Sequence, residues 1–294
     1  TVYRDDETLA EVIEKVTARL NLKSHVCGRG PPETRKILQT PTDMEGHIDG
    51  DGNLYALDFA RLFPPSADPA SEFGPSAPRN AYLFRLLRPE FVRSYPKPLS
   101  SDACSPFGLD GAEIHNPELI EATQYLYDHV IPEFAAKLER DPNEVLMPKG
   151  DSQTDIQHHM HLTELAHRSG INCRYLGRVR QRLHIAQLRS FVLKELIARV
   201  AKNCLRSLMR DHAKRVKSID EDAYKHIVVN FFNWILEWPN QYDPTLLFWG
   251  EEVKSRLQAT FPHCLSDEEK QPSFRLEDAI DITALFQRIE TLSG

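Results

Sequence analysis

A basic, amphipathic stretch at residues 169–217 constrains the fold of this chain more than any other part. After the turn signal Ser169-Gly170, apolar residues recur at intervals of three and four in two successive runs, which predicts two helices with apolar faces. The stretch holds thirteen Arg or Lys against two acidic residues, a net charge of +11 in a chain of net charge −7. The rest of the chain therefore carries −18, so two cationic helices belong to an otherwise acidic protein.

The basic side chains of this stretch are candidates for RNA binding, because Lys and Arg neutralise phosphates and release their counterions. Three of them lie four residues apart and are expected to form one cationic row on a helix. The alternative is that several of them pair with the acidic remainder of the protein. No aromatic RNP motif, GXXG loop or zinc finger accompanies them. The predicted RNA contacts are Arg174, Arg178, Arg180, Arg182, Arg189, Lys202, Arg206 and Arg210, with the row formed by Arg174, Arg178 and Arg182.

The composition is that of a soluble globular protein, with 41% hydrophobic and 27% charged residues among 294. No apolar run approaches the roughly 20 residues that a membrane span needs, so no membrane insertion is expected. The chain starts at Thr1 without a signal-peptide pattern, and we expect it to be a piece of a longer protein. Five scattered cysteines predict reduced thiols in the cytoplasm; neither a disulfide framework nor a cysteine-based metal site is expected.

The pattern along the chain predicts an α+β protein. A helix is expected at residues 5–20, and a β-hairpin near residues 44–60, where two Asp-Gly pairs at 49–52 favour a tight reversal. A helix at 117–140 should begin at Pro117 and be kinked or divided by Pro132. Beyond 153 the pattern is almost wholly helical, so we predict a domain with a short antiparallel sheet at 1–150 and a helical domain at 151–294.

Two other groups of residues have the side chains of possible functional sites. His158 and His161 are three apart on a predicted helix and could ligate one metal ion, but no HExxH motif is present. A solvated or interfacial histidine cluster is the simpler interpretation. Asp58, in Leu57-Asp58-Phe59, resembles the magnesium-binding aspartate of kinases, although no glycine-rich loop or HRD motif accompanies it. An ion pair with Arg61 is the simpler role for Asp58. We predict neither catalytic residues nor a cofactor.

Aromatic residues concentrate in one part of the helical region and are predicted to form core. Phe232 and Leu236 are expected to pack against the basic helices. The set is Phe231, Phe232, Trp234, Trp238, Tyr242, Phe248 and Trp249.

Several stretches resemble the Clu, or clustered-mitochondria, family, within its central Clu domain. The similar stretches are residues 20–26 (LNLKSHV), 45–65 (EGHIDGDGNLYALDFARLFPP), 87–92 (LRPEFV), 168–183 (RSGINCRYLGRVRQRL) and 192–206 (VLKELIARVAKNCLR). The resemblance implies a large cytosolic protein that governs mitochondrial distribution and biogenesis and is associated with mRNAs for mitochondrial proteins and with translation factors. It implies no catalytic activity. The family's upstream ubiquitin-like region and its C-terminal tetratricopeptide array have no counterpart in this sequence.

Together these observations predict a non-enzymatic, cytoplasmic scaffold that binds mRNA or a ribonucleoprotein assembly. Ribosomes, translation-factor assemblies and other proteins are the expected partners. The sequence is also compatible with two alternative functions. One is an ATP- and magnesium-dependent relative of kinase-like phosphotransferases, and the other is a module that binds only proteins.

Overall fold

The computed structural model describes residues 2, 4–28, 30–67, 80–108, 110–146, 155–216, 221–236 and 248–293, with backbone alone at 155–160 and 250–251. Short strands lie near the N-terminus and helices dominate the rest, which confirms the predicted α+β class. The strands are β1 (His25–Cys27), β2 (Lys36–Leu38), β3 (Glu45–Ile48) and β4 (Leu54–Leu57). The helices are α1 (Glu7–Arg19), α2 (Pro89–Ser94), α3 (Ala112–Tyr125), α4 (Ile131–Arg140), α5 (Asn143–Leu146), α6 (Asp155–Arg168), α7 (Leu176–Arg182), α8 (Ala186–Arg215), α9 (Glu221–Ile235), α10 (Val253–Thr260) and α11 (Ile282–Ser293).

The chain forms two compact units, Thr1–Ile131 with Ala166–Asn172, and Pro132–Leu165 with Cys173–Gly294. This division differs from the expected boundary between residues 150 and 151. From Pro132 onwards, α4 belongs to the helical unit, in which Glu139 accepts hydrogen bonds from the backbone N–H groups of His184 and Ile185. Loop composition alone could not show this tertiary contact.

Helix α1 begins and ends where the sequence indicates. The side chain of Asp6 accepts a hydrogen bond of 2.7 Å from the N–H of Leu9, which satisfies one of the free donors at the helix start. Asn21 follows the helix with φ of 60°, a conformation that asparagine tolerates better than most residues. Its side chain donates hydrogen bonds of 2.8 Å to the carbonyl oxygens of Val92 and Tyr95, which fixes the end of α1 against α2.

The strands form two separate antiparallel pairs, β1 with β2 and β3 with β4. The predicted hairpin is confirmed, with Glu45 opposite Leu57 and Ile48 opposite Leu54. Its turn depends on Asp49, whose carboxylate accepts hydrogen bonds from the backbone N–H of Asp51, the backbone N–H and side chain of Asn53, and the hydroxyl of Tyr55. These hydrogen bonds lower the pKa of Asp49 to about 2.

The predicted long helix is divided near Pro132. A π-helical turn, Leu126–Val130, separates α3 from α4. Because Pro132 has no N–H to donate, the regular α-helical bonding cannot continue through it, and a wider turn just before it accommodates the loss. The helix begins earlier than predicted, after Gly111 with φ of 79°, so Pro117 lies inside α3 and not in its first turn.

Helix α8 is the central element of the helical unit, and α7, α9, α10 and α11 pack against it. The aromatic prediction is confirmed for Phe231, Phe248 and Trp249, which are buried. The indole N–H of Trp249 donates a hydrogen bond of 2.8 Å to the carbonyl of Ile235. Leu236 is exposed, contrary to the prediction that it packs against the basic helices. Trp238 and Tyr242 lie outside the described residues.

Over the described part of the chain, every helix is too short or too polar to cross a lipid bilayer.

Candidate nucleic-acid surface

The predicted row of Arg174, Arg178 and Arg182 does not lie on one α-helix. Arg174 belongs to a 3₁₀ turn, Cys173–Tyr175, that precedes α7, and its guanidinium carbon lies 5.0 Å from the centre of the Tyr175 ring. Arg174 and Arg178 are half-buried, whereas Arg182 at the end of α7 is exposed. Because a 3₁₀ turn rotates its side chains differently from an α-helix, spacing of four residues does not align this set.

Arg180 is buried, with 2% of its surface exposed. Its guanidinium donates hydrogen bonds of 2.7 and 2.6 Å to the two carboxylate oxygens of Glu269, and another to the carbonyl oxygen of Cys264. A cation in such a position is held by its own protein and cannot reach an RNA backbone. Arg180 therefore leaves the set of surface candidates, and the alternative of internal pairing describes it correctly.

Arg189 also contributes to this internal pair. Its guanidinium lies 3.7 Å from Glu269 and donates to the carbonyl oxygens of Arg180 and Leu183, at 3.1 and 3.2 Å. These bonds hold the connection between α7 and α8. Burial alone would raise the pKa of Glu269, but hydrogen bonds from Arg180 and the N–H of Ser266, together with the charges of Arg180 and Arg189, lower it to about 2.

This depressed pKa predicts a loss of stability in acid. A carboxylate whose pKa is lower in the folded protein stabilises the fold above its unfolded value of 4.5, and that contribution disappears as the pH falls towards 2. We expect about 3 kcal/mol of unfolding free energy to be lost across this window through Glu269. Denaturant unfolding of the wild type and Glu269→Gln at pH 6 and pH 3 measures the part that is lost above pH 3, about 2 kcal/mol. The variant should lose less stability on acidification, and equal losses would contradict the assignment.

A second buried ion pair joins α8 to α11. Glu195 is fully buried and accepts hydrogen bonds of 2.7 and 3.0 Å from Arg288. Arg199, one turn further along α8, lies 2.6 Å from the same carboxylate and also donates to the hydroxyl of Thr163. In the sequence, Glu195 is one of the two acidic residues within the basic stretch. Its position among Leu193, Leu196 and other apolar residues of α8 was the available signal that it lies on a buried face.

Lys202, Arg206 and Arg210 form the cationic row that the structure leaves accessible. They are spaced by four residues on α8, which places neighbouring members about 6 Å apart along the helix axis. Arg206 and Arg210 are exposed and Lys202 is half-buried. Burial and the charges of Arg206 and Arg199 lower the pKa of Lys202. Among the described residues no carboxylate lies within ion-pair distance of these three cations.

The hairpin gives no support to the predicted role of Asp58. Asp58 is exposed, with φ of 54° and ψ of 35°. The predicted ion pair of Asp58 with Arg61 is wrong, because the buried guanidinium of Arg61 donates to Asp43 at 2.7 and 2.9 Å and to Asp102 at 3.0 Å. Within the described ranges, Asp58 belongs to no group of three metal-ligating side chains.

The predicted histidine pair lies on α6. His161 is half-buried, and the side chain of His158 lies outside the described part of the chain. The described residues that bring three metal-ligating groups together are instead His25, Cys27 and Asp102, all buried. Sequence spacing could not reveal this group, because Cys27 and Asp102 are 75 positions apart.

Asp102 is the centre of this buried group. Its Oδ2 atom lies 3.1 Å from Nε2 of His25 and 3.8 Å from the sulfur of Cys27, and it accepts hydrogen bonds from the backbone and hydroxyl of Thr42 at 3.0 and 2.6 Å. Its Oδ1 atom accepts from Arg61. Burial would lower the pKa of His25, but hydrogen bonding to Asp102 and Cys27 raises it to about 10, so the imidazole pairs with Asp102 as a cation.

Comparison with known proteins identifies two family models along the chain. The model for clustered-mitochondria proteins matches residues 1–68. The model for translation initiation factor eIF3 subunit 135 matches residues 158–278, which include α7, α8 and the cationic row.

Two curated relatives share parts of this sequence. An uncharacterized protein of Dictyostelium discoideum is 26% identical in a 219-residue alignment that covers 67% of this chain and 18% of that protein. A clustered mitochondria protein homolog of Neurospora crassa is 30% identical over 92 residues, which is 31% of this chain and 7% of that protein. The chain thus spans less than a fifth of the length of either relative. No solved structure matches it.

Proposed function

This chain belongs to the Clu (clustered mitochondria) family, and we propose that it acts in mitochondrial distribution as a non-enzymatic scaffold that binds mRNA or a ribonucleoprotein assembly in the cytoplasm. The observation that carries the RNA-binding part is the accessible row of Lys202, Arg206 and Arg210 on α8. Three cations in line on a helix can follow the phosphates of a nucleic-acid backbone without reading its bases.

The location of the row supports this proposal. It lies within residues 158–278, the part of the chain that is similar to a translation initiation factor subunit. Because of this similarity, we expect the scaffold to contact mRNA or translation-factor assemblies. The burial of Arg180 removes one residue from the set of candidate RNA contacts. It does not affect the row on α8, because Arg180 and Arg189 precede that row in the chain and face Glu269.

Reversing the charge of the row should weaken RNA binding at least about tenfold at low salt. The variant Lys202→Glu/Arg206→Glu/Arg210→Glu removes three phosphate contacts and adds repulsion. For single-stranded RNA, the slope of log K against log salt should become shallower by about 2. Fluorescence anisotropy with a labelled single-stranded RNA at several salt concentrations measures both quantities. The thermal midpoint should change little, since the three side chains contribute no described ion pair.

A matched control separates this surface from a general charge effect. Arg4, Lys15 and Arg19 are exposed and belong to the first unit, so Arg4→Glu/Lys15→Glu/Arg19→Glu makes the same change in net charge at another place. It should bind RNA much more tightly than the α8 variant. If both triple variants weakened RNA binding equally, the row on α8 would not be the binding surface. If the RNA affinity of the wild type did not change with salt concentration, the protein would not bind RNA through phosphate contacts.

The two alternative functions can be separated from the proposal by simple measurements. A kinase-like relative should show a rise in thermal midpoint with millimolar ATP and magnesium that Asp58→Ala abolishes. The exposed position of Asp58, outside any described group of metal ligands, provides no support for this alternative. A module that binds only proteins would give neither the nucleotide response nor the RNA response.

A further inference from the structure

The buried group at His25, Cys27 and Asp102 has the chemistry of a metal site and plays no part in the proposed RNA surface. We propose that His25 Nε2, Cys27 Sγ and Asp102 Oδ2 bind one divalent transition-metal ion, for which Zn²⁺ is the best match. The three atoms lie within 4.8 Å of one another. A mixed set of imidazole, thiolate and carboxylate ligands is typical of zinc.

The local fold places the ligands on one side of a strand. His25 and Cys27 are two residues apart on β1, so their side chains point to the same face of the strand, and both are buried. Asp102 reaches this face from the turn that follows residue 99. The ligands thus come from two parts of the first unit, and a bound ion would connect β1 to that turn.

The separations between the ligand atoms are close to those of a tetrahedral zinc site. With zinc–nitrogen and zinc–oxygen distances near 2.0 Å and zinc–sulfur near 2.3 Å, tetrahedral edges are about 3.3 Å for nitrogen to oxygen and about 3.5 Å for sulfur to oxygen. The corresponding distances here are 3.1 and 3.8 Å. These two separations differ from the tetrahedral edges by a few tenths of an ångström, and Nε2 of His25 and Sγ of Cys27 lie within 4.8 Å of each other, so that small side-chain movements would bring all three atoms to one ion. Water or the Thr42 hydroxyl would take the fourth position.

The surrounding hydrogen bonds are those that orient metal ligands. Nδ1 of His25 lies 3.2 Å from the carbonyl oxygen of Lys23. Since a carbonyl only accepts, Nδ1 carries the hydrogen, and Nε2 faces Cys27 and Asp102. Asp102 is held in turn by Arg61 and by the N–H of Thr42. An ion at this point would take the place of the proton that His25 and Asp102 otherwise share.

The charges at the site also balance. A thiolate and a carboxylate offset one divalent cation, while Arg61 is offset by Asp43, with which it forms its own ion pair. Among the described residues, the hydrogen-bond contacts of the Cys27 thiol are long, 3.8 Å to Asp102 and 4.0 Å to the carbonyl oxygen of His25. A fully buried cysteine among a histidine and a carboxylate differs from the usual inert cysteine in an apolar core.

Metal binding to the purified 294-residue chain tests this proposal. We expect one zinc ion per chain after equilibration with Zn²⁺ and removal of unbound metal. X-ray absorption at the zinc edge should show one sulfur neighbour near 2.3 Å and nitrogen or oxygen neighbours near 2.0 Å. Cobalt substitution should give a thiolate-to-cobalt charge-transfer band. Zinc with only nitrogen and oxygen neighbours, or no bound metal, would overturn the proposal.

Cysteine variants identify the sulfur. Cys27→Ser should abolish the sulfur neighbour and the charge-transfer band, while Cys104→Ser, which changes an exposed thiol of the same unit, should retain both. Retention of the sulfur neighbour in Cys27→Ser would also overturn the assignment. Should Cys27→Ser not fold, His25→Gln provides a second variant, and the wild-type absorption spectrum still decides whether one thiolate ligates the metal.

Discussion

Glu195→Ala should lower the free energy of unfolding by about 3–5 kcal/mol, the usual cost of removing one partner from a buried ion pair. The carboxylate is fully buried and bonded at two positions to Arg288, whose side chain is 4% exposed. Without Glu195, the guanidinium of Arg288 would remain buried and would lose the carboxylate that offsets its charge. Denaturant unfolding followed by circular dichroism measures the loss.

A double variant tests whether the cost arises from the uncompensated charge. Replacing both partners by apolar residues, Glu195→Leu/Arg288→Met, leaves no guanidinium from this pair in the core and should be less destabilising than Glu195→Ala. Arg199 is 19% exposed and can turn its charge towards solvent. A loss below about 1 kcal/mol for Glu195→Ala would show that this pair is not buried in solution.

Gly170→Ala should destabilise the protein by about 3–5 kcal/mol, from backbone strain and overlap together. Gly170 has φ of 78°, which disfavours any residue with a Cβ atom. An added Cβ would lie 2.7 Å from Cβ of Phe91 and 2.8 Å from its Cα and N atoms. Phe91 is buried on α2, and its backbone cannot move without disturbing that helix.

Gly52 provides the matched control for this prediction. Its φ is 83°, but an added Cβ would meet nothing within 4 Å. Gly52→Ala should therefore report the cost of the backbone conformation alone, about 1 kcal/mol. Thermal and denaturant unfolding of both variants separates the two contributions. Similar losses for Gly170→Ala and Gly52→Ala would contradict the close contact with Phe91.

Local signals predicted the individual elements well. The Asp6 cap, the Asp49 turn and the effect of Pro132 each depend on a few neighbouring residues, so the sequence contains the whole physical cause. The apolar period of three and four likewise predicted that α8 is helical, although it did not show that residues 191–198 are buried on every side of the helix. The resemblance to the Clu family was confirmed by the clustered-mitochondria model, which matches residues 1–68.

The roles of the charged residues were set by the tertiary structure. A spacing of four predicted a row through Arg174, Arg178 and Arg182, whereas the accessible row is formed by Lys202, Arg206 and Arg210. Sequence spacing also could not show that Arg180 meets Glu269, 89 positions away. Sequence spacing likewise could not show the ion pairs of Arg61 with Asp102 and of Glu195 with Arg288.

The sequence by itself thus determined which segments form helices and hairpins, and that α7 and α8 are cationic. Only the tertiary structure decided which cations face inward and which face solvent. The physical reason is that helix formation depends on contacts within a few residues, whereas burying a charge depends on the partner that folding brings to it. Arg180 and Arg206 carry the same charge, and Glu269 makes the difference between them.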